Sequence, residues 1–283
     1  MADEDPVFET TTGPVRVITA ASLFDGHDAA INVMRRLIQA SGAEVIHLGH
    51  DQSAQAVVDC AVQEDAHAIA LTSYQGGHVE YFTYIRQLLD EAGCAHVKIF
   101  GGGGGTITPP EIRTLHQSGI TKIYSPDDGR SMGLMGMIHH LMGLAAEVDL
   151  IGEARLASLD GPVTVDDMAK VGMLMTLSES ADDATFKAAI ETARSSDKDV
   201  PVIGFTGTGG AGKSSLLDEL MLRIQRDNPG KKVCLLCVDP TRKRTGGALL
   251  GDRIRMNSLS NNDLFMRSLA SRGSGSEISA NID

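Results

Sequence analysis

The sequence predicts two consecutive α/β units: a doubly wound, flavodoxin-like parallel sheet, then a second α/β unit that is incomplete. Three observations predict this. Short apolar runs alternate with amphipathic stretches of helical period over residues 15–147. A Gly-rich turn joins an apolar run to a helical stretch at 207–214. The chain has 283 residues, which at about 150 per domain suits two domains.

Residues 1–14 read as a flexible leader. Val15–Leu23 is the first strand, followed by a loop and a helix through Ile31, Met34, Leu37 and Ile38 that ends near Gly42. Val45–Leu48 reads as the second strand, with a helix through Val57, Val58 and Val62 after it. Ala68–Leu71 is the third, followed by a helix through Phe82, Ile85, Leu88 and Leu89 that Gly93 closes. Val97–Phe100 is the fourth and runs into five glycines, Gly101–Gly105; Ile123–Tyr124 is the fifth. A helix from about Gly129 to Glu147 completes the unit. Strands alternating with helices at this spacing imply parallel β-α units in one sheet.

Residues 148–199, rich in Ala, Asp and Glu, read as a helical linker. Val200–Phe205 opens the second unit, 200–283, as a strand; a helix through Leu216, Leu217 and Leu220 and a strand within Val233–Val238 follow. With only two clear strands in this span the unit reads as incomplete.

Composition narrows the partners. The net charge is −12 and no Lys/Arg cluster forms a stripe, which argues against nucleic acid or an anionic membrane. Apolar stretches are strand-sized and the start, Met1–Pro6, is acidic. No transmembrane helix or signal peptide is predicted, and the chain reads as cytoplasmic. Four Cys then suggest reduced thiols. Cys234 and Cys237 stand three apart on one strand, so they face opposite sides and read as packing residues rather than a metal pair.

Two constellations carry chemistry. The first strand ends in Phe24-Asp25-Gly26-His27, at the sheet edge where ligands of open parallel sheets bind. A His there can present one ring nitrogen to a metal, while the other donates to the Asp, which fixes the tautomer and raises the basicity of the ring. The loops Thr72-Ser73-Tyr74 and Gly101–Gly105 end the third and fourth strands and converge on the same edge. His78 lies close by. His47, His50, His139 and His140 read as surface or internally satisfied histidines, and the stripe Met132, Met135, Met137, Met142 as packing.

On these residues the stretch 15–147 resembles the cobalamin-binding domain of adenosylcobalamin-dependent acyl-CoA mutases, whose pattern is D-x-H-x-x-G, S-x-L and G-G. Ala30 stands for the last Gly of the first motif, Thr72 for the Ser and Tyr74 for the Leu. The resemblance implies that His27 replaces the benzimidazole of the cofactor as cobalt ligand, with Asp25 bonded behind it. Thr72 takes the position that bonds the displaced benzimidazole. Ser73, Tyr74, Gly101, Gly102, Gly104 and Gly105 would line the slot for the cofactor's nucleotide tail.

The second constellation, Gly207-Thr208-Gly209-Gly210-Ala211-Gly212-Lys213-Ser214, fits G-x-x-x-x-G-K-[ST] in full, between an apolar run and a helix. Backbone amides of Gly207, Gly209, Gly210, Ala211 and Gly212, with Ser215 in the first helical turn, would hold phosphate oxygens. Lys213 would reach the terminal phosphates and Ser214 would ligate Mg²⁺. Asp239 and Asp252 lie where either can approach Mg²⁺ or orient water, or stand as solvated acids. Nothing in these residues chooses guanine over adenine.

The run Val238-Asp239-Pro240 with Thr245–Met256 resembles the GTPase chaperones that load cobalamin mutases, which implies Mg²⁺ or switch roles for Asp239 and Asp252. The two resemblances in one chain are together similar to the family of fused isobutyryl-CoA mutases. That family interconverts isobutyryl-CoA and butyryl-CoA, takes acyl-CoA only through a barrel domain missing here, and is a homodimer when complete. The alternatives are a corrinoid carrier or sensor with a regulatory P-loop, a methylmalonyl-CoA mutase-type enzyme, and a plain P-loop ATPase. Against the last, the third strand ends in Thr72-Ser73-Tyr74 instead of the phosphorylatable Asp of a receiver domain.

Overall fold

The computed structural model describes residues 8–194, 200–241, 247–260 and 263–272. A short hairpin pairs β1 (Glu9–Thr10) with β2 (Gly13–Pro14). The α/β unit then runs β3 (Arg16–Ser22), α1 (Asp28–Ala40), β4 (Glu44–Gln52), α2 (Ala54–Gln63), β5 (Ala68–Thr72), α3 (His78–Glu91), β6 (Lys98–Gly102), α4 (Pro109–Gln117), β7 (Lys122–Tyr124) and α5 (Pro126–Ala146). The strands are parallel in the order β7-β6-β5-β3-β4. This is the doubly wound order expected, and its reversal point lies between β3 and β5, where a crevice opens at the carboxyl edge.

Period-two alternation decides the two faces. Ile18, Ile46, Ile69 and Ile99 pack with Val57, Phe82, Ile85 and Leu115 from α2, α3 and α4. Val17, Val45, Ala68 and Phe100 pack with Ile38, Ile138 and Leu141 from α1 and α5. The whole of β3 is buried, as expected for a central strand covered on both faces.

Several sequence expectations need correction. Residues 8–14, expected as a leader, are ordered by the hairpin: Gly13 adopts φ +91° at the turn, the Thr10 hydroxyl donates to its carbonyl at 3.0 Å, and Phe8 packs against the α1–α5 face. Helix α4 was not anticipated. It buries only Leu115 but is started by Pro109 and by the reciprocal Thr108–Glu111 cap. Helix α5 is kinked at Gly133, φ +66°. There the methionine stripe splits, with Met142 buried and Met132 and Met135 exposed.

Residues 148–199 carry α6 (Glu153–Leu156), α7 (Met168–Ser180) and α8 (Asp183–Ala193), which share a small apolar cluster of Leu159, Val163, Met173 and Leu177. Helix α7 lies tightly on the end of α2, since a side chain at Gly172 would come within 2.5 Å of the Val62 carbonyl.

The second unit contains α9 (Lys213–Asp227), β8 (Val233–Asp239), β9 (Ala248–Leu250) and β10 (Leu264–Ala270). The strand expected at Val200–Phe205 is not formed, and Val202 is 94% exposed. A strand needs a neighbour for its amides and carbonyls, and among the described residues none lies beside it. Two strands were missed. β10 pairs in parallel with β8 over seven residues. β9 leaves this unit altogether and adds to the first sheet beside β4, with Val45 opposite Leu249. Cys234 is exposed and Cys237 buried on β8, on opposite sides as expected.

A buried ionic network joins the units. Arg16 donates to Glu44 at 2.8 Å, Glu64 at 3.1 Å, Glu179 at 3.2 Å and the Ser268 carbonyl at 3.0 Å. Arg272 pairs with Glu44 and Glu179, Arg267 with Glu179, and Arg253 with Glu64. Among the described residues no helix is long and apolar enough to cross a membrane.

Candidate functional site

The loop after β3 holds Asp25 wholly buried. One carboxylate oxygen accepts the His27 amide at 2.9 Å and the His27 Nδ1–H at 2.8 Å; the other accepts the Tyr74 amide at 2.7 Å. Burial pushes the Asp25 carboxyl up, but these donors from Tyr74 and His27 outweigh it, and its pKa is held below the ordinary value. In the neutral ring, an ionised Asp25 selects the tautomer with its proton on Nδ1. The ring itself is 69% exposed, 5.4 Å between centroids from Tyr74. Neutral imidazole with a buried carboxylate behind it and an open Nε2 in front is the arrangement a metal-ligating His requires. One loop therefore supplies both an exposed imidazole and the carboxylate that orients it.

The other expected residues sort into three groups. Ser73 is buried, and its hydroxyl accepts from the Ser22 hydroxyl at 2.9 Å, which ties β3 to β5 beneath the loop. Thr72 is also buried, and its hydroxyl has no partner. An unpaired buried hydroxyl costs free energy unless a ligand completes it. Of the glycines, Gly101 and the unassigned Gly103 are demanded by internal packing. A side chain at Gly101 would lie 2.5 Å from the Phe82 ring, and one at Gly103 would lie 1.9 Å from the Ser73 carbonyl. Gly102, Gly104 and Gly105 have open or ordinary surroundings, Gly104 with φ +57° in reach of Tyr74. Packing thus already requires a glycine at 101, while the need for glycine at 102 and 105 is not explained by internal contacts.

Thr72→Val tests the orphan hydroxyl. The ligand-free protein is expected to keep or gain stability, by up to about 1 kcal/mol, because a desolvated hydroxyl is removed. Cobalamin affinity is expected to fall about fivefold, the worth of one hydrogen bond. Thermal melts and cobalamin titrations of the two proteins check both signs; an unchanged affinity would free Thr72 of any ligand role.

His78, which the sequence placed near the site, is instead buried at the start of α3. Its Nδ1 lies 3.0 Å from the Gln75 carbonyl and its Nε2 3.3 Å from Glu111 of α4. Its Nδ1 contact ties the ring to the loop before α3. His47 is buried against the Thr19 hydroxyl at 2.9 Å, and His140 meets the Tyr124 hydroxyl at 3.0 Å, both internally satisfied as expected.

At the second site, α9 begins at Lys213 with Gly212 in the left-handed region, φ +84°, and Gly210 likewise at φ +78°. These angles turn the backbone so that the loop closes on the helix N-terminus. Gly207–Gly212 and Ser215 are exposed, so the loop's backbone is open to solvent. Lys213 Nζ donates to the carbonyls of Gly207 at 2.7 Å and Thr208 at 3.1 Å, holding the loop closed. The Ser214 hydroxyl donates to Asp252 at 3.0 Å, and Asp239 accepts the Gly251 amide at 3.1 Å. Burial, then the neighbouring charge of Asp252, pushes the Asp239 carboxyl up to about 6. Two carboxylates set against each other beside a P-loop hydroxyl would be relieved by a divalent cation. Among the described residues no cluster of three His, Cys, Asp or Glu side chains stands ready to hold a metal; Mg²⁺ here would need phosphate oxygens to complete its shell.

Sequence reasoning missed Arg255, which pairs with Asp252 at 2.5 Å, and Gln63 and Arg253, which meet across the two units at 3.0 Å. Arg255 had a local signal, three residues from the Asp. The other pair is 190 residues apart and had none.

Comparison with known proteins finds relatives for both units of the chain. Residues 15–126 match the family model described as B12 binding domain, and residues 171–282 that of methylmalonyl Co-A mutase-associated GTPase MeaB. The chain is 50% identical over 275 residues to a fused isobutyryl-CoA mutase of Geobacillus kaustophilus, aligning 95% of this chain with 25% of the relative. It is 52% identical over 266 residues to that of Cupriavidus metallidurans, aligning 94% of this chain with 24% of the relative. It is also 33% identical over 115 residues to the 2-hydroxyisobutanoyl-CoA mutase small subunit of Aquincola tertiaricarbonis, covering 40% of this chain and 82% of that one. The chain spans about a quarter of the length of the fused relatives it matches.

Proposed function

Because the chain belongs to the fused isobutyryl-CoA mutase family, with its B12-binding and MeaB GTPase segments, we propose that it is the cofactor-loading part of an adenosylcobalamin-dependent acyl-CoA mutase. The whole protein would interconvert isobutyryl-CoA and butyryl-CoA. Acyl-CoA would be bound by a barrel outside these residues, in a homodimer of the cytoplasm. The observation that carries this reading is the Asp25–His27 pair, with Nδ1 occupied and the ring open.

Bound adenosylcobalamin would supply the radical chemistry through homolysis of its cobalt–carbon bond. The protein's share is positioning. His27 would hold the cobalt through Nε2, with Asp25 orienting the ring, and Thr72 would offer its unpaired hydroxyl to the cofactor. Gly102, Gly104 and Gly105 would leave room for its nucleotide tail.

In the GTPase segment, backbone amides of 207–213 and the N-terminus of α9 hold phosphates, and Lys213 moves from the loop carbonyls to the terminal phosphates. Ser214, Asp239 and Asp252 would hold Mg²⁺ together with the phosphates. Hydrolysis would gate delivery of the cofactor to the first domain.

Calorimetric titration of the chain with cob(II)alamin and with Mg²⁺-GTP tests the reading. Wild type should bind both. Lys213→Ala should lose GTP hydrolysis by about 10²-fold or more, as removal of a transition-state donor does, and keep corrinoid binding. Failure of wild type to bind Mg²⁺-GTP, or full hydrolysis by Lys213→Ala, would overturn the nucleotide-site assignment.

A further inference from the structure

We propose that Arg253 is a positioning residue for the nucleotide site, and that through it the cobalamin-binding domain sets the place of the Mg²⁺ carboxylate Asp252. This rests on the reading that Ser214, Asp239 and Asp252 hold a Mg²⁺-nucleotide. Three independent contacts fasten the segment around Asp252 to the first domain.

Before Asp252 lies β9, a strand of the first domain's sheet, in register with Glu44–Ile46. Its approach is close: a side chain at Gly247 would lie 2.2 Å from the Gln39 carbonyl and 2.8 Å from that of Ala43, and the Ala248 amide donates to Ala43 at 3.1 Å. After Asp252, Ile254 packs over Gly49, where a side chain would meet it at 2.9 Å. Gly49 sits on β4 with φ +87°.

The third contact is Arg253 itself. It is buried, and one terminal nitrogen donates to the Gln63 side-chain carbonyl at 3.0 Å, Glu64 at 3.3 Å and the Met266 carbonyl at 2.6 Å. Gln63 in turn accepts the Met266 amide at 3.1 Å, so β10 and Arg253 share one acceptor at the end of α2.

The residues on both sides of Asp252 are therefore held by the first domain, although Gly251 also donates to Asp239 and Arg253 to the Met266 carbonyl of the second unit, and Asp252 itself accepts from Ser214 of the P-loop. Carboxylates around a metal are oriented by the groups behind them, and loss of such a group costs 10–100-fold in metal affinity. Any displacement of α2 or β4 would shift Asp252 against Ser214. The nucleotide site is thereby made to depend on the domain that carries His27.

Gln63 supplies the test, because it lies in the first domain and leaves the charge of Arg253 in place. Mg²⁺ is titrated against the full chain with fluorescently labelled GDP, with parallel binding of GDP in EDTA and a melting curve. Gln63→Ala is expected to raise the half-saturating Mg²⁺ roughly 10-fold, with GDP affinity in EDTA unchanged. Gln63→Glu, which keeps the acceptor, is expected to stay within twofold of wild type. A merely structural role would lower the melting temperature of Gln63→Ala and leave the Mg²⁺ requirement alone; that outcome overturns the proposal. If the wild type shows no Mg²⁺-dependent GDP binding, the nucleotide-site reading itself fails, and the proposal with it.

Discussion

His27→Ala is expected to remove the splitting that isotopically labelled protein nitrogen imposes on the EPR spectrum of bound cob(II)alamin. With Nδ1 bonded to Asp25, only Nε2 of His27 is left to face a cobalt ion. An axial imidazole nitrogen couples to the unpaired electron, and no other nitrogen of the protein is presented on that loop with a carboxylate behind it. Cobalamin affinity should fall by at least roughly 10-fold, since even the loss of an outer partner of a metal ligand costs that much. The fold should persist, because the ring is largely exposed and Asp25 keeps its bonds to the Tyr74 and His27 amides. Splitting from the unlabelled benzimidazole in wild type would show that the cofactor keeps its own base, and would sink the ligand assignment while leaving the P-loop site untouched.

Arg16→Met is expected to destabilise the chain by about 3–5 kcal/mol, the cost of removing one partner from a buried ion pair. Arg16 is 2% exposed and lies among three carboxylates. Burial opposes its charge, but Glu179, Glu44 and Glu64 outweigh burial and raise its pKa. The converse holds for Glu44. Burial pushes its carboxyl up, but Arg16 and Arg272 bring it down to about 2. A carboxyl depressed in the folded state contributes stability above its ordinary pKa of 4.5, and that contribution is lost as pH falls from there through about 2. Urea unfolding of wild type and Arg16→Met at pH 7 gives the difference, which should shrink toward pH 2–3. A loss under about 1 kcal/mol at pH 7 would mean that Arg253, Arg267 and Arg272 neutralise the three acids without Arg16.

Much of the first domain was legible in the sequence. Each strand of the first sheet that the sequence marked is present, because a covered parallel strand must be a continuous apolar run. Asp25 and His27 were legible as a pair, since two residues of spacing brings the ring onto the carboxylate within one loop. The P-loop was legible for the same reason, as its glycines, Lys213 and Ser214 are consecutive. Helix α4 was not, because one buried leucine makes no stripe. Val200–Phe205 was misread because apolarity marks a capacity to pair, and pairing needs a neighbour that sequence cannot place. That Gly101 is also required by the Phe82 ring, a residue far from it in the chain, was not legible.

Local order of residues specifies the devices built from neighbours: the alternation of β3 to β7 with α1, α2, α3 and α5, the Asp25–His27 pair, and the phosphate loop at 207–214. Their geometry follows from backbone angles and spacings within a few residues, so the local order of residues suffices. That β9 joins the first sheet and that Arg253 answers to Gln63 came from long-range contacts alone. The same holds for Arg16, which reaches the Ser268 carbonyl across 252 residues of chain. Such contacts depend on which surfaces come together, because a charge or a strand edge is satisfied by whatever partner folding brings to it.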